Sequence, residues 1–247
     1  MAWIANQQSE AGGRAFAPAH SVGSDAAQVR VFLGRVYRLM ALGLGVTGIV
    51  ALMVASSPAA LHFFVLNRGV FFAVIIAQFL MVMAFSGLAT RVSAGAASAM
   101  FFSYAALSGI TFSTIFLIYT GASIAGTFFV SAGAFAGLSA YGAITKRNLD
   151  GLGSFAMMGL FGLVIGSVVN IFLGSPALYW LTTFMGVLVF TGLTAYDTAK
   201  LKSLAAQTDL SGAAGRTVAL QGALMLYLDF INLFLMLLRL FGGRRRD

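Results

Sequence analysis

The 54 residues from Val92 to Thr145, VSAGAASAMFFSYAALSGITFSTIFLIYTGASIAGTFFVSAGAFAGLSAYGAIT, contain no Asp, Glu, Lys or Arg. A bilayer core about 30 Å thick is crossed by roughly 20 apolar residues in a helix, so this stretch is too long for one crossing and fits two with a turn. Tyr119-Thr120-Gly121 supplies the turn and predicts helices over about Ala96–Ile118 and Ser123–Thr145. Gly151 to Tyr196 is a second uncharged run, of 46 residues, and Gly174-Ser175-Pro176 divides it into helices over about Ser154–Leu173 and Leu178–Tyr196. Towards the N-terminus, the run between Arg38 and Arg68 breaks at Ser56-Ser57-Pro58, which leaves a helix over about Tyr37–Ala55. Arg68 and Arg91 bracket another at about Val70–Ala89. After a mixed segment from Asp197 to Arg216, a last apolar stretch reaches Leu238 with one acid inside it, Asp229. The runs are continuously apolar, whereas membrane barrel strands alternate in segments of about 10 residues. The fold class expected is therefore an all-α integral membrane protein with seven transmembrane helices.

Composition agrees. Of 247 residues, 60% are hydrophobic and 9% charged, where an ordinary soluble domain carries about 25% charged residues. A mean hydropathy of +0.93 excludes a disordered chain and a cytosolic enzyme. The net charge of +8 would suggest nucleic acid in a soluble protein. Here the cations lie between apolar runs, where they meet anionic headgroups and set topology, so no nucleic-acid partner is expected. Without cysteine there is no disulfide, thiolate catalysis or Cys metal site.

Residues 1–29 are polar, rich in Ala, Gly and Ser, and lack the basic-then-apolar order of a signal peptide. They are expected as a disordered cytoplasmic tail, residues 30–241 as the membrane domain, and 242–247 as a basic C-terminal tail. Arg30, Arg35, Arg38, Arg91, Lys146, Arg147, Lys200, Lys202 and Arg216 fall on one side of the seven spans, and Arg68 and His62 on the other. The positive-inside rule then places the N-terminus in the cytoplasm. Arg239, Arg244, Arg245 and Arg246 conflict with this: either the early helices override the tail, or the seventh helix stops short of a full crossing. Two G-x-x-x-G spacings, Gly133/Gly137 and Gly162/Gly166, would allow close helix approach.

The acids carry the most information. An aspartate near a helix centre costs at least ~2.5–3.5 kcal/mol on insertion scales, so Asp229 should face protein or a water cavity and have a partner. It either locks helix packing or forms a site that senses protons and touches cations. Asp197, at the end of the sixth span, is the candidate partner. Two carboxylates at low dielectric share a proton and titrate as a unit. The same pair offers oxygens to a metal, but Ca²⁺ takes 6–8 oxygen ligands, so the expected site is weak and transient. Depth is a difficulty, because Asp229 lies well inside its span while Asp197 looks shallow. Pairing requires the sixth helix to run on towards Lys202, or the seventh to begin later. Arg91 either binds lipid phosphate or reaches inward as a latch on a carboxylate. Lys146, Arg147 and Asp150 read as a plain cytoplasmic loop. No resident cofactor is expected, and no catalytic constellation is visible: Ser108-Gly109 has no intramembrane histidine to serve as base.

Residues 222–239, GALMLYLDFINLFLMLLR, resemble the C-terminal signature of the Bax inhibitor-1 family in its bacterial YccA-like branch. Three further segments are similar to family segments in the usual order. These are Leu107-Ser108-Gly109-Ile110-Thr111, Tyr141-Gly142 through Lys146-Arg147-Asn148-Leu149 to Gly153-Ser154-Phe155, and Ala195-Tyr196-Asp197-Thr198 with Lys200. The resemblance spans about Arg30 to Arg239. It implies a bundle whose last helix is central and wrapped by the other six, and a pH-sensitive calcium leak sensed by Asp197 and Asp229. It also implies a latch at Arg91. Bacterial relatives are connected to a membrane AAA protease, which makes a regulator or binding partner of such a protease the alternative function.

Overall fold

The computed structural model describes residues 22–88, 92–207, 210 and 212–245. Seven long helices cross the molecule in alternating directions: α1 (Val22–Ser56), α2 (Arg68–Leu88), α3 (Ala94–Phe112), α4 (Gly121–Ile144), α5 (Asp150–Leu173), α6 (Pro176–Gln207) and α7 (Gly212–Phe241). Each is long and apolar enough to cross a membrane. The protein is an all-helical multi-pass bundle.

The chain turns where the sequence lacks a reason to stay helical. Ser57 caps a one-turn helix at Pro58–Leu61, its hydroxyl accepting from the Ala60 N–H at 3.3 Å. Thr120 caps α4 in the same way. Gly174 closes α5 at φ +59°, a left-handed position suited to glycine, and Pro176 opens α6. The third span is less regular than expected: α3 stops at Phe112 and one turn resumes at Ile115–Ile118. Thr111, Ser113 and Thr114 each donate their hydroxyls to carbonyls three residues back, at 2.6–2.9 Å, and so compete with the backbone ladder.

Two boundaries differ from expectation. Residues 22–29 are helical and continue α1, since Ala26, Ala27 and Gln28 favour helix over coil; residues 1–21 lie outside the described residues. The sixth helix runs on to Gln207, eleven residues past Tyr196.

α7 is the core helix. Ala219, Ala223, Leu226, Tyr227 and Leu233 on it are 0–1% exposed. α1, α3, α4 and α6 pack directly against it. α2 lies on α3 and α5 on α6, and both reach the core through side chains such as Phe85 and Leu163. Four helices thus approach α7 along their backbones, and α2 and α5 join its core clusters through side chains. Small residues permit close approaches, and of the two G-x-x-x-G pairs only Gly166 takes part, a Cβ on it lying 3.2 Å from Thr182 Cγ2. A Cβ on Gly142 would collide with the Ala195 carbonyl, and one on Gly109 would lie 2.7 Å from the Thr47 carbonyl. Gly133, Gly137 and Gly162 have nothing within 4 Å of such a Cβ.

α7 runs the length of the bundle to the end that holds the α3–α4 turn. Its C-terminal extension runs antiparallel to the α3–α4 turn, with Thr120 N–H donating to Gly243 O at 3.1 Å and Arg245 N–H to Ile118 O at 3.0 Å. Gly243 N–H donates to the Ser123 hydroxyl at 2.9 Å, and the Arg239 guanidinium sits 5.6 Å from the centre of the Tyr179 ring. Burial, with Tyr179 alongside, holds the Tyr119 phenol above its usual 10.0. At the other end, Lys202 Nζ donates to Thr145 O at 2.9 Å and ties α6 to the end of α4. Lys146, Arg147, Lys200 and Lys202 thus gather at one end of the bundle, and Arg239 and Arg244 at the other.

Candidate functional site

The extended α6 removes the depth difficulty. Asp197 lies ten residues before the end of α6 and five before Lys202, which meets the end of α4, so at about 1.5 Å per residue it sits roughly 7–8 Å inside that end of the bundle. It reaches the level of Asp229 on α7, and the two carboxyl groups adjoin each other at one cavity. They are 9% and 5% exposed. At low dielectric two adjoining carboxyl groups disfavour double ionisation, so the pair is suited to sharing one proton. The second oxygen of Asp229, Oδ2, is buried without a hydrogen-bond partner.

A cavity of 660 Å³ adjoins the pair. Val82 and Phe85 of α2 form one wall and Met157 and Leu160 of α5 another, because neither helix packs on the α7 backbone. Gln221, Asn232 and Lys200 supply its remaining polar groups. Lys200, one turn beyond Asp197, acts on it electrostatically and lies 5.8 Å from the centre of the Tyr196 ring. Among the described residues, no third His, Cys, Asp or Glu joins the two aspartates in a group that could hold a metal. A cation here would meet two carboxyl groups and side-chain amides, with water completing its shell. Arg91, the expected latch, lies outside the described residues.

Comparison with known proteins places the chain. Residues 29–246 match the family model described as "Inhibitor of apoptosis-promoting Bax1". The chain belongs to the Bax inhibitor-1 family. Its relatives in that family include the inner membrane protein YbhL of Escherichia coli K12, 46% identical over 231 residues that cover 93% of this chain and 99% of that protein. A Caulobacter vibrioides protein is 42% identical over 228 residues, covering 89% and 91% respectively. A Borreliella burgdorferi protein is 41% identical over 216 residues, covering 87% and 93%. This Bax inhibitor-1 chain also carries a second buried polar cluster that its sequence did not single out. The Thr47 hydroxyl donates towards Ala105 O at 2.9 Å and Gly43 O at 3.0 Å, and lies 2.7 Å from the Tyr227 hydroxyl. Its single proton is committed to a carbonyl, so Tyr227 donates to Thr47. Ser108, also buried, donates to Gln78 Oε1 at 3.3 Å. The available signal was three lone polar residues, Thr47, Gln78 and Ser108, each set in an apolar run.

Proposed function

We propose that this Bax inhibitor-1 protein mediates a pH-sensitive leak of calcium through a bacterial inner membrane, gated by the proton state of Asp197 and Asp229. The observation that carries the reading is the pair of adjoining, buried carboxyl groups facing a cavity beside the core helix. The N-terminus is cytoplasmic, supported by the cation-rich end where α4 and α6 meet. In the charged state a carboxylate attracts Lys200 and, from the α2–α3 turn, Arg91; α7 stays packed. Complete protonation removes that attraction and weakens the packing of α6 on α7, so leak rises as pH falls. Moving a closed-to-open ratio from 99:1 to 1:99 takes about 5.5 kcal/mol, more than one latch supplies, so gating is graded.

Purified protein in liposomes loaded with a calcium-sensitive dye tests this. Calcium entry above that of empty vesicles, rising between about pH 8 and pH 5, is expected. Flux equal to that of empty vesicles throughout would overturn the reading and favour a membrane-embedded binding partner.

A further inference from the structure

We infer that the cavity at the α4–α5 turn is a binding site for a phosphate group, supplied by an anionic lipid headgroup or by a soluble phosphate. The cavity measures 530 Å³ and is lined by Lys146 and Arg147 from the turn and by Lys200 and Lys202 from α6. Asp150 is the one acid along it, so four cations face one carboxylate. The α6 lysines lie more than 50 positions from the turn in sequence, and the fold brings them to the same concavity. Charges that merely set topology have no reason to converge, and their mutual repulsion is relieved by an anion bound among them.

The scaffold for this convergence is built. The Lys202 bond to Thr145 O holds the end of α4 to α6, and Asn148 Oδ1 accepts from the Asp150 N–H at 2.7 Å, which shapes the start of α5. Lys202 is thereby committed to a carbonyl, while Lys146, Arg147 and Lys200 are exposed and available to oxygens of a phosphate. The cavity also lies where α4 ends and α5 begins, at headgroup level. Ile144, next in sequence to the lining residue Thr145, and Phe155, in the second turn of α5, are 77% and 59% exposed and offer apolar surface to acyl chains. Lys200 and Tyr196 line both this cavity and the one beside the carboxyl pair, so a bound phosphate competes with Asp197 for the same ammonium. Binding itself does not depend on the conduction proposed above.

The test titrates dioctanoyl phosphatidylglycerol, dioctanoyl phosphatidylcholine and inorganic phosphate separately into the full chain in neutral detergent, read by native mass spectrometry and by the thermal midpoint. Saturable binding of one phosphatidylglycerol per chain is expected, with phosphatidylcholine silent. Lys146→Gln/Arg147→Gln should weaken it by about tenfold or more, since each basic residue contributes separately to headgroup attraction. Arg30→Gln/Arg38→Gln, which removes two exposed cations at the same end of the bundle, should leave it unchanged. Inorganic phosphate binding as tightly as the lipid would support the site and assign it to a soluble anion. Equal binding by the Lys146/Arg147 variant, equal loss in the Arg30/Arg38 variant, or no binding by either probe would each overturn the proposal.

Discussion

Tyr227 and Asp229 stand two residues apart on α7 and face opposite sides of the bundle. The Tyr227 hydroxyl meets Thr47 of α1 at 2.7 Å, whereas the Asp229 carboxyl meets Asp197 of α6. Two residues rotate a helix by about 200°, so one turn of α7 presents a polar group to each half of the bundle at the same depth. The Tyr227 side is packed, with Phe101 and Tyr104 set edge-on to its ring. The Asp229 side retains an unpartnered oxygen and adjoins a cavity. The fully bonded polar contact of α7 is thus with α1, and the one that leaves an oxygen unpartnered is on the side of α6.

The fixed side should be costly to disturb. Thr47→Val keeps the shape but leaves the Tyr227 hydroxyl without its acceptor, and is expected to destabilise the protein by about 1–3 kcal/mol. Tyr227→Phe removes the donor while Thr47 keeps its carbonyl, and should cost less, about 1 kcal/mol. Denaturant unfolding in detergent measures both. Equal stability of Thr47→Val and wild type would show that the bond contributes nothing.

Gly142 sets how closely α4 approaches α6 beside Asp197. Gly142→Ala forces its methyl group against the Ala195 carbonyl and should destabilise by about 1–3 kcal/mol. Gly133→Ala and Gly137→Ala meet open space and should change stability by less than about 0.5 kcal/mol. Thermal unfolding of the three variants decides; the reverse ranking would mean the α4–α6 contact is misplaced.

The legibility of this molecule in its sequence divides along the same line. All seven crossings and the breaks at Ser57-Pro58, Tyr119-Thr120 and Ser175-Pro176 could be read from uncharged run length and turn chemistry, because lipid imposes one length on every span. Asp229 was conspicuous because ionisable groups are costly in hydrocarbon. The end of α6 was not legible: charge density rises after Tyr196, yet Asp197 is buried against α7 and the helix continues to Gln207. Nor were the functional glycines. Gly142 differs from Gly137 only in what lies across from it, and spacing within one helix carries no information about the neighbour. The meeting of Lys146 and Arg147 with Lys200 and Lys202 depends on two helices ending together, which a loop-by-loop reading treats as separate charges.

The C-terminal extension is held to the α3–α4 turn by backbone groups. Gly243→Pro removes the N–H that Ser123 accepts and should lower stability by about 1 kcal/mol. Arg244→Ala leaves the backbone bridge in place and should change it by less than about 0.5 kcal/mol. Proteolysis of the tail in proteoliposomes should follow the same order, and faster cleavage in Arg244→Ala than in Gly243→Pro would assign the hold to the side chain.

The proton proposed to lie between Asp197 and Asp229 is open to infrared difference spectroscopy in proteoliposomes across the pH range in which calcium flux is expected to change. A protonated carboxyl carbonyl band is expected that disappears as pH rises, in step with the fall in flux, and that is absent from Asp229→Asn, whose flux no longer responds to pH. A band that persists unchanged in Asp229→Asn, or no protonated carboxyl at any pH where flux varies, would contradict a proton-gated pair.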